Sequence, residues 1–294
     1  MGKGLIAILL LVASFSLTSQ ACDEHGITGI VEENSLYIPV GLKTGGGITE
    51  SQFNDTLDRI EKIYEPIIKQ MGANLNVQRA WNDGTVNAYA TRSGRTWIIK
   101  MFGGLARHQV VTQDGFAVVA CHELGHHIGG APKRSSWFGM NDWASNEGQS
   151  DYFGTSKCLR KYMEQDDNVA LMANNPKVPD FATRKCQAAF TNPEEIAMCQ
   201  RAALAGESLA NLFRALRNSS TPLSFDTPDK KVVSKTDHSH PASQCRMDTY
   251  FQGALCDKAH TDDADQRDAN QGYCNRVDGY DTGIRPLCWY KPAR

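Results

Sequence analysis

Residues 112–128 read TQDGFAVVACHELGHHI, and this stretch decides the fold. Its FAVVAC segment is apolar on every side, so a helix here lies inside the protein rather than on its surface. Gly129-Gly130 stop it. Within it, His122-Glu123-Leu124-Gly125-His126 sets two imidazoles at i and i+4 on one helix face. Both can reach one metal ion. Glu123 lies on the adjacent part of that face, where it can take a proton from a water at the metal. Two histidines and a glutamate in so apolar a helix need such a role, because unpaired polar groups are costly to bury. One Zn2+ ion is the expected cofactor.

A catalytic zinc needs a third protein ligand and an open position. The extended pattern HExxHxxGxxH is excluded, because position 132 is Pro132, although Gly129 fits. The next candidates lie in Asn146-Glu147-Gly148-Gln149-Ser150-Asp151, at the start of a predicted helix over 145–165. Glu147 and Asp151 stand four apart and share a face. Glu147 is the expected ligand, and Asp151 the acceptor that holds a ligand imidazole in its tautomer. The reverse assignment is the alternative. His127 points about 100° away from His126, so it lines a pocket or supports the site rather than ligating.

Upstream, Thr49 opens a helix with a T-x-x-Q capping box to Gln52. Phe53, Leu57, Ile60, Tyr64, Ile67 and Met71 form its apolar stripe. Pro66 predicts a kink and Gly72 its end. Then LNVQRAW, the turn Asn82-Asp83-Gly84, TVNAYA, the turn at Ser93-Gly94 and RTWIIKMF predict a three-stranded antiparallel meander. Downstream, residues 166–218 read as helical, with Pro193 at a first helical position after Asn192. A further helix is predicted from Pro241 to Cys256. The expected fold class is α+β, mainly helical with a small antiparallel sheet and a disulfide-rich C-terminal tail, and the HExxH helix makes a zincin-type metalloprotease domain the expectation.

The chain has 294 residues, is 41% hydrophobic and 22% charged, and carries a formal net charge of -2. It has ample apolar material for a core, which excludes wholesale disorder. Near-neutral charge removes the basic footprint of a nucleic-acid binder. No fixed-period repeat is visible.

Lys3, a short apolar run from Gly4 to Leu17, and Ser19-Gln20-Ala21 make a secretory signal over 1–21. Cys22 follows at once and is a candidate lipid-attachment cysteine, with plain cleavage and export as the alternative. The expected location is the periplasm or the exterior, with an anchor only if Cys22 is lipidated. The mature chain holds no apolar run long enough to span a membrane. Seven of the nine cysteines lie beyond residue 150, and an oxidising compartment pairs most of them. Nine is odd, so Cys22 and Cys121 are the candidates to stay out. The expected division is 1–21 signal, 22–47 extended segment, 48–256 metallopeptidase domain and 257–294 Cys-rich tail. The acidic run TDDADQRDAN in the tail lacks calcium-loop spacing and reads as a solvated loop.

Four blocks taken together resemble the HtpX-type and CAAX prenyl endopeptidase-related zinc metallopeptidases, which are gluzincins. They are Val86-Asn87-Ala88-Tyr89-Ala90; Gly104-Leu105 followed by the helix into HELGHH; Glu147 to Asp151; and Ser239-His240-Pro241 with Arg246. The resemblance implies that His122, His126 and Glu147 ligate zinc and that Glu123 is the general base. It implies that His240 lies near the zinc, either stabilising the transition state or blocking the cleft in a latent state. Arg246 is implied to bind carboxylates structurally. By analogy with other gluzincins, RTWIIKMF is the edge strand on which a polypeptide substrate pairs. Many relatives are integral membrane proteins, whereas this chain has only its leader. The activity so implied is a zinc metalloendopeptidase acting on exported or misfolded envelope proteins. The alternative is a zinc-containing envelope chaperone or scaffold with latent proteolysis.

Overall fold

Helix α1 (Glu50–Gln70) begins as its capping box requires: the Gln52 N–H donates to Thr49 Oγ1 at 3.2 Å, and the Thr49 N–H donates to Gln52 Oε1 at 2.9 Å. The computed structural model describes residues 19–20, 29–42, 45–134, 143–173, 178–262 and 264–292. Apart from Ser19–Gln20, the expected signal lies outside them, and so does Cys22. The α1 stripe buries Phe53, Leu57, Ile60 and Tyr64 as expected, then drifts to Ile68. Met71 is exposed, because it already lies past the helix end.

The sheet differs from the expected meander. Strands β2 (Asn74–Ala80), β3 (Ala88–Ser93) and β4 (Thr96–Phe102) are ordered β3-β4-β2, with β2 and β4 parallel and β3 and β4 antiparallel. A two-residue strand β1 (Ser19–Gln20) pairs with β3. The segment after β2 is therefore no hairpin turn. It crosses over the end of β4 and returns on the far side as β3. The crossing needs two residues without side chains. A Cβ on Gly103 would meet the Trp81 carbonyl oxygen at 1.9 Å, and one on Gly104 would meet that of Gly84 at 1.9 Å. The Arg107 guanidinium pins the crossing by donating to the carbonyls of Trp81 at 2.7 Å and Asp83 at 3.3 Å. The strand RTWIIKMF is thus the centre of the sheet, flanked on both sides, and cannot be the edge that accepts an extended peptide.

After the short α2 (Gly103–Arg107) comes α3 (Gln113–Ile128), with Thr112 as N-cap and every residue from Gly115 to Ile128 buried. It packs against α1, the sheet and the helices that follow. The helix predicted over 145–165 is present as α4 (Glu147–Phe153), one π turn (Gly154–Cys158) and α5 (Leu159–Met163). Short helices α6 (Asn168–Ala173) and α7 (Asp180–Ala189) lead to the long α8 (Pro193–Leu216), capped by Asn192 with Pro193 in its first turn. Helix α9 (Ser243–Leu255) packs on α8 and α4. Beyond it, no described residue is helical or in a strand, yet Trp289, Tyr273 and Arg285 are buried. No helix among the described residues is long and apolar enough to cross a membrane.

Disulfides join Cys121–Cys158, Cys186–Cys199, Cys245–Cys288 and Cys256–Cys274. Cys121 is therefore paired, against expectation: its apolar position on α3 faces the π turn, where Cys158 is equally buried. This bond closes a 37-residue separation between two core elements. Changing both cysteines to alanine is expected to lower the unfolding free energy by about 2–5 kcal/mol, read from denaturant midpoints. A loss within 0.5 kcal/mol or so of zero, the range of inert surface changes, would deny the bond its stabilising role.

Candidate metal centre

His122 and His126 project from the last two turns of α3, and their rings meet edge to face with centroids 4.7 Å apart. Each Nδ1 is engaged. His122 Nδ1 lies 2.7 Å from Asp151 Oδ1, and His126 Nδ1 lies 2.8 Å from the Ser145 carbonyl oxygen. A carbonyl can only accept, so His126 carries its proton on Nδ1, and its Nε2 is left as the ligating atom. Asp151 imposes the same tautomer on His122. Both Nε2 atoms then face Glu147, at 3.3 Å from Oε2 for His122 and 3.8 Å from Oε1 for His126. The three residues offer donor atoms all within 4.8 Å of one another, so the group can hold a metal ion.

Helix α4 brings Glu147 here because Asn146 caps it, its Oδ1 accepting from the Gln149 N–H at 2.9 Å, which sets Glu147 in the first turn. All four residues of the centre are sealed: His122, Glu123 and His126 are 0% exposed and Glu147 is 1%. His122 Nε2 and both oxygens of Glu123 have no hydrogen-bond partner among the described residues. Three such atoms in one dry spot are expensive for a fold. A cation and the water it carries would satisfy them all.

Burial draws the His122 imidazole down, but the Asp151 and Glu147 carboxylates outweigh it and hold it up at about 9. Burial pulls His126 down to about 3. It pushes the Glu123 carboxyl up to about 8. At Glu147 burial is outweighed by the imidazoles of His240, His126 and His122 around it, which hold the carboxyl well below its ordinary value. Asp151 is likewise held at about 2, with Arg246 and His122 overcoming burial. The arrangement thus sets an ionised Glu147 and a basic Glu123 on two sides of one small space.

A second layer fixes this geometry. Arg246 clasps Asp151 with both ends, Nε to Oδ2 at 2.8 Å and Nη2 to Oδ1 at 2.7 Å. Tyr250 Oη donates to Asp151 Oδ1 at 2.5 Å. Arg246 Nη1 also donates to the Ile30 carbonyl oxygen at 2.6 Å. His240 comes to the Glu147 side of the centre, with Nε2 3.1 Å from Glu147 Oε2 and 2.9 Å from the Gly29 carbonyl oxygen. The segment that supplies these two carbonyls lies against His240 and Arg246 and is tied to the start of β3 by the Ile30 N–H, which donates to the Ala88 carbonyl oxygen at 2.9 Å.

His127 points away from the centre, as its helical position requires. Its ring lies between Trp97 and Trp143, at centroid distances of 5.4 and 4.9 Å and within 15° of both planes. Arg92 Nε donates to its Nδ1 at 3.2 Å, and its Nε2 donates to the Ile98 carbonyl oxygen at 3.1 Å. The imidazole is neutral, held well below its ordinary value by burial. It fastens α3 to β4.

Sequence reasoning placed His122, Glu123, His126, Glu147, Asp151, His240 and Arg246, and the fold brings all seven together. It missed Tyr250, which follows Arg246 by four on α9 and was open to a helical-spacing argument. It also missed the carbonyls of Ser145, Gly29 and Ile30, which no side-chain pattern marks. Compared with known protein families, curated proteins and solved structures, the chain matches none.

Proposed function

We propose that this chain is a zinc-dependent metalloendopeptidase of the gluzincin kind. The observation that carries the reading is the convergence of two imidazole Nε2 atoms and the Glu147 carboxylate beside a buried Glu123 whose oxygens no described residue hydrogen-bonds. Two histidines and one glutamate are the donor set of a catalytic zinc with an open position. When bound, zinc would supply Lewis acidity toward a peptide carbonyl and make a water acidic near neutral pH. Glu123 accepts the proton of the attacking water on a carboxylate oxygen and delivers it to the departing amide nitrogen. Asp151 keeps His122 in its ligating tautomer, and the Ser145 carbonyl does so for His126. The expected substrates are exported or misfolded polypeptides of the envelope.

The contacts of His240 with Glu147 and Gly29 support its role in closing the cleft over its role in stabilising a transition state. The complete burial of the centre favours one further reading, a zinc-containing scaffold with latent proteolysis. Cleavage of casein by the mature protein separates the two. The expected result is cleavage that stops when a chelator strips the metal and returns with about one equivalent of zinc per chain. Zinc uptake at that ratio with casein intact would leave the scaffold; failure to take up zinc would overturn both.

A further inference from the structure

Arg285 is 2% exposed and forms no ion pair with a carboxylate among the described residues. Buried guanidinium groups without a carboxylate are rare, because their desolvation is costly; this one is cradled by the rings of Tyr152, Tyr273 and Tyr290, with centroids 5.0, 4.7 and 5.2 Å away. This one comes from the C-terminal tail and ends on the helix that carries Glu147. Its Nε donates to Gln149 Oε1 at 2.6 Å, and its Nη2 donates to the Ala131 carbonyl oxygen at 3.4 Å. Gln149 passes the link on, donating through Nε2 to the Gly129 carbonyl oxygen at 2.6 Å. Gly129 caps α3, directly after the turn that bears His126. The tail reaches the same carbonyl a second time, through Tyr273 Oη at 2.7 Å.

A second contact seats the tail on α4 itself. A Cβ on Gly148 would lie 2.2 Å from the Trp289 ring, so the indole rests on bare helix backbone next to Glu147. Trp289 is held there by its Nε1–H, which donates to Thr249 Oγ1 at 3.0 Å. The tail is in turn bonded to α9 by Cys245–Cys288 and to its end by Cys256–Cys274. Glu147 and His126 sit on different helices, joined by the segment between Gly129 and Asn146. Nothing in an α-helix fixes the distance between two helices. Contacts across them do.

We infer that the C-terminal tail is a clamp for the metal centre, with Arg285 a positioning residue that sets Glu147 against His122 and His126. The inference rests on the reading of these three residues as the zinc ligands. Arg285 touches neither the metal position nor a substrate; it acts through Gln149 and the end of α3.

The test is Arg285→Met in the full exported chain, which keeps the length of the side chain and removes the charge and the donors. Zinc affinity is read by competition with a chromophoric chelator, and thermal stability is read on the metal-free protein. The expected result is zinc binding weakened about 10–100-fold, the usual effect of removing an outer support of a ligand. Metal-free stability should fall, because Gln149 Oε1 and the Ala131 carbonyl lose their buried donor, so zinc affinity is the readout that separates a clamp from a merely structural residue. Unchanged zinc affinity in the folded variant would overturn the clamp, whatever the stability does. If Arg285→Met does not fold, Tyr273→Phe takes its place. It removes only one hydroxyl from Gly129 and should weaken zinc about fivefold, the equivalent of one ordinary hydrogen bond. An unweakened site there would likewise overturn the clamp. Wild-type protein that takes up no zinc would overturn the ligand reading itself, a result distinct from wild type and variant binding zinc equally.

Discussion

Glu123→Gln should keep its zinc and lose turnover by about 10²–10⁴-fold, the span that general-base catalysis supplies. The variant changes one oxygen to an amide nitrogen at a side chain that is 0% exposed, so packing is preserved. Glu123 has no other employment: neither oxygen is hydrogen-bonded within the described residues. Gln cannot take up a proton, and the candidate ligands His122, His126 and Glu147 are untouched. Equal zinc in both proteins with cleavage by wild type alone is the expected pattern. Turnover of the variant at the wild-type rate would remove Glu123 from the reaction. The pH dependence follows from the same group. Burial, the largest influence, and the neighbouring Glu147 and Asp151 carboxylates raise its carboxyl to about 8 against His122 and Arg246, and a cation beside it pulls that value back. The base works only when ionised, so activity should fall as pH falls through its ionisation. A flat rate from neutral pH to about pH 4, the ordinary carboxyl range, would contradict this.

Arg246→Ala should lower the unfolding free energy by about 3–5 kcal/mol, because it leaves a buried carboxylate without its cation. Arg246 and Asp151 are both sealed from water, at 1% and 0% exposure. Their two parallel bonds are the strong, directed kind. The truncation also strips the Ile30 carbonyl of its donor. Asp151 is held at about 2, below the ordinary value near 3.9. A carboxyl depressed in the folded state stabilises above its unfolded value and stops doing so as pH falls toward its folded one. The acid-induced loss of wild-type stability between about pH 4 and pH 2 should therefore be smaller in the variant. Urea titrations at several pH values read both effects. A loss under about 1 kcal/mol, typical of an exposed pair, would mean the ion pair is not sealed in solution.

Much of the helical frame was legible because its signals are local. The capping box at Thr49, the Asn192-Pro193 start of α8 and the all-apolar run of α3 each act within a turn or two, and each appears where it was read. The candidate ligands were legible for the same reason, since i and i+4 on a helix fix a shared face. Strand order was not. Alternation marks a strand but says nothing about its neighbour, and the clue at Gly103-Gly104 becomes meaningful only once a chain crosses there. Cys121 was misjudged because an apolar helix position suits a free thiol and a buried disulfide equally well. The tail was read as a disulfide-rich segment with a solvated acidic loop, and its described residues form no helix or strand. Its burial depends on single residues such as Trp289 and Arg285, whose contacts on α4 lie over a hundred positions away.

The guanidinium of Arg246 touches a carbonyl 216 residues upstream and a carboxylate 95 residues upstream. Closing a loop so long costs only a little more than closing a short one, since the entropy grows with the logarithm of length. The native protein thus loses little by it. The cost falls on time: pairings of such separation are met slowly in a chain's search. The histidine-bearing helix can form early from its own neighbours. The pair that sets the proton on His122 spans only 29 residues, so the Arg246 clasp that backs Asp151 is expected to close after it, and a half-folded chain would hold the imidazole in place before its carboxylate is anchored.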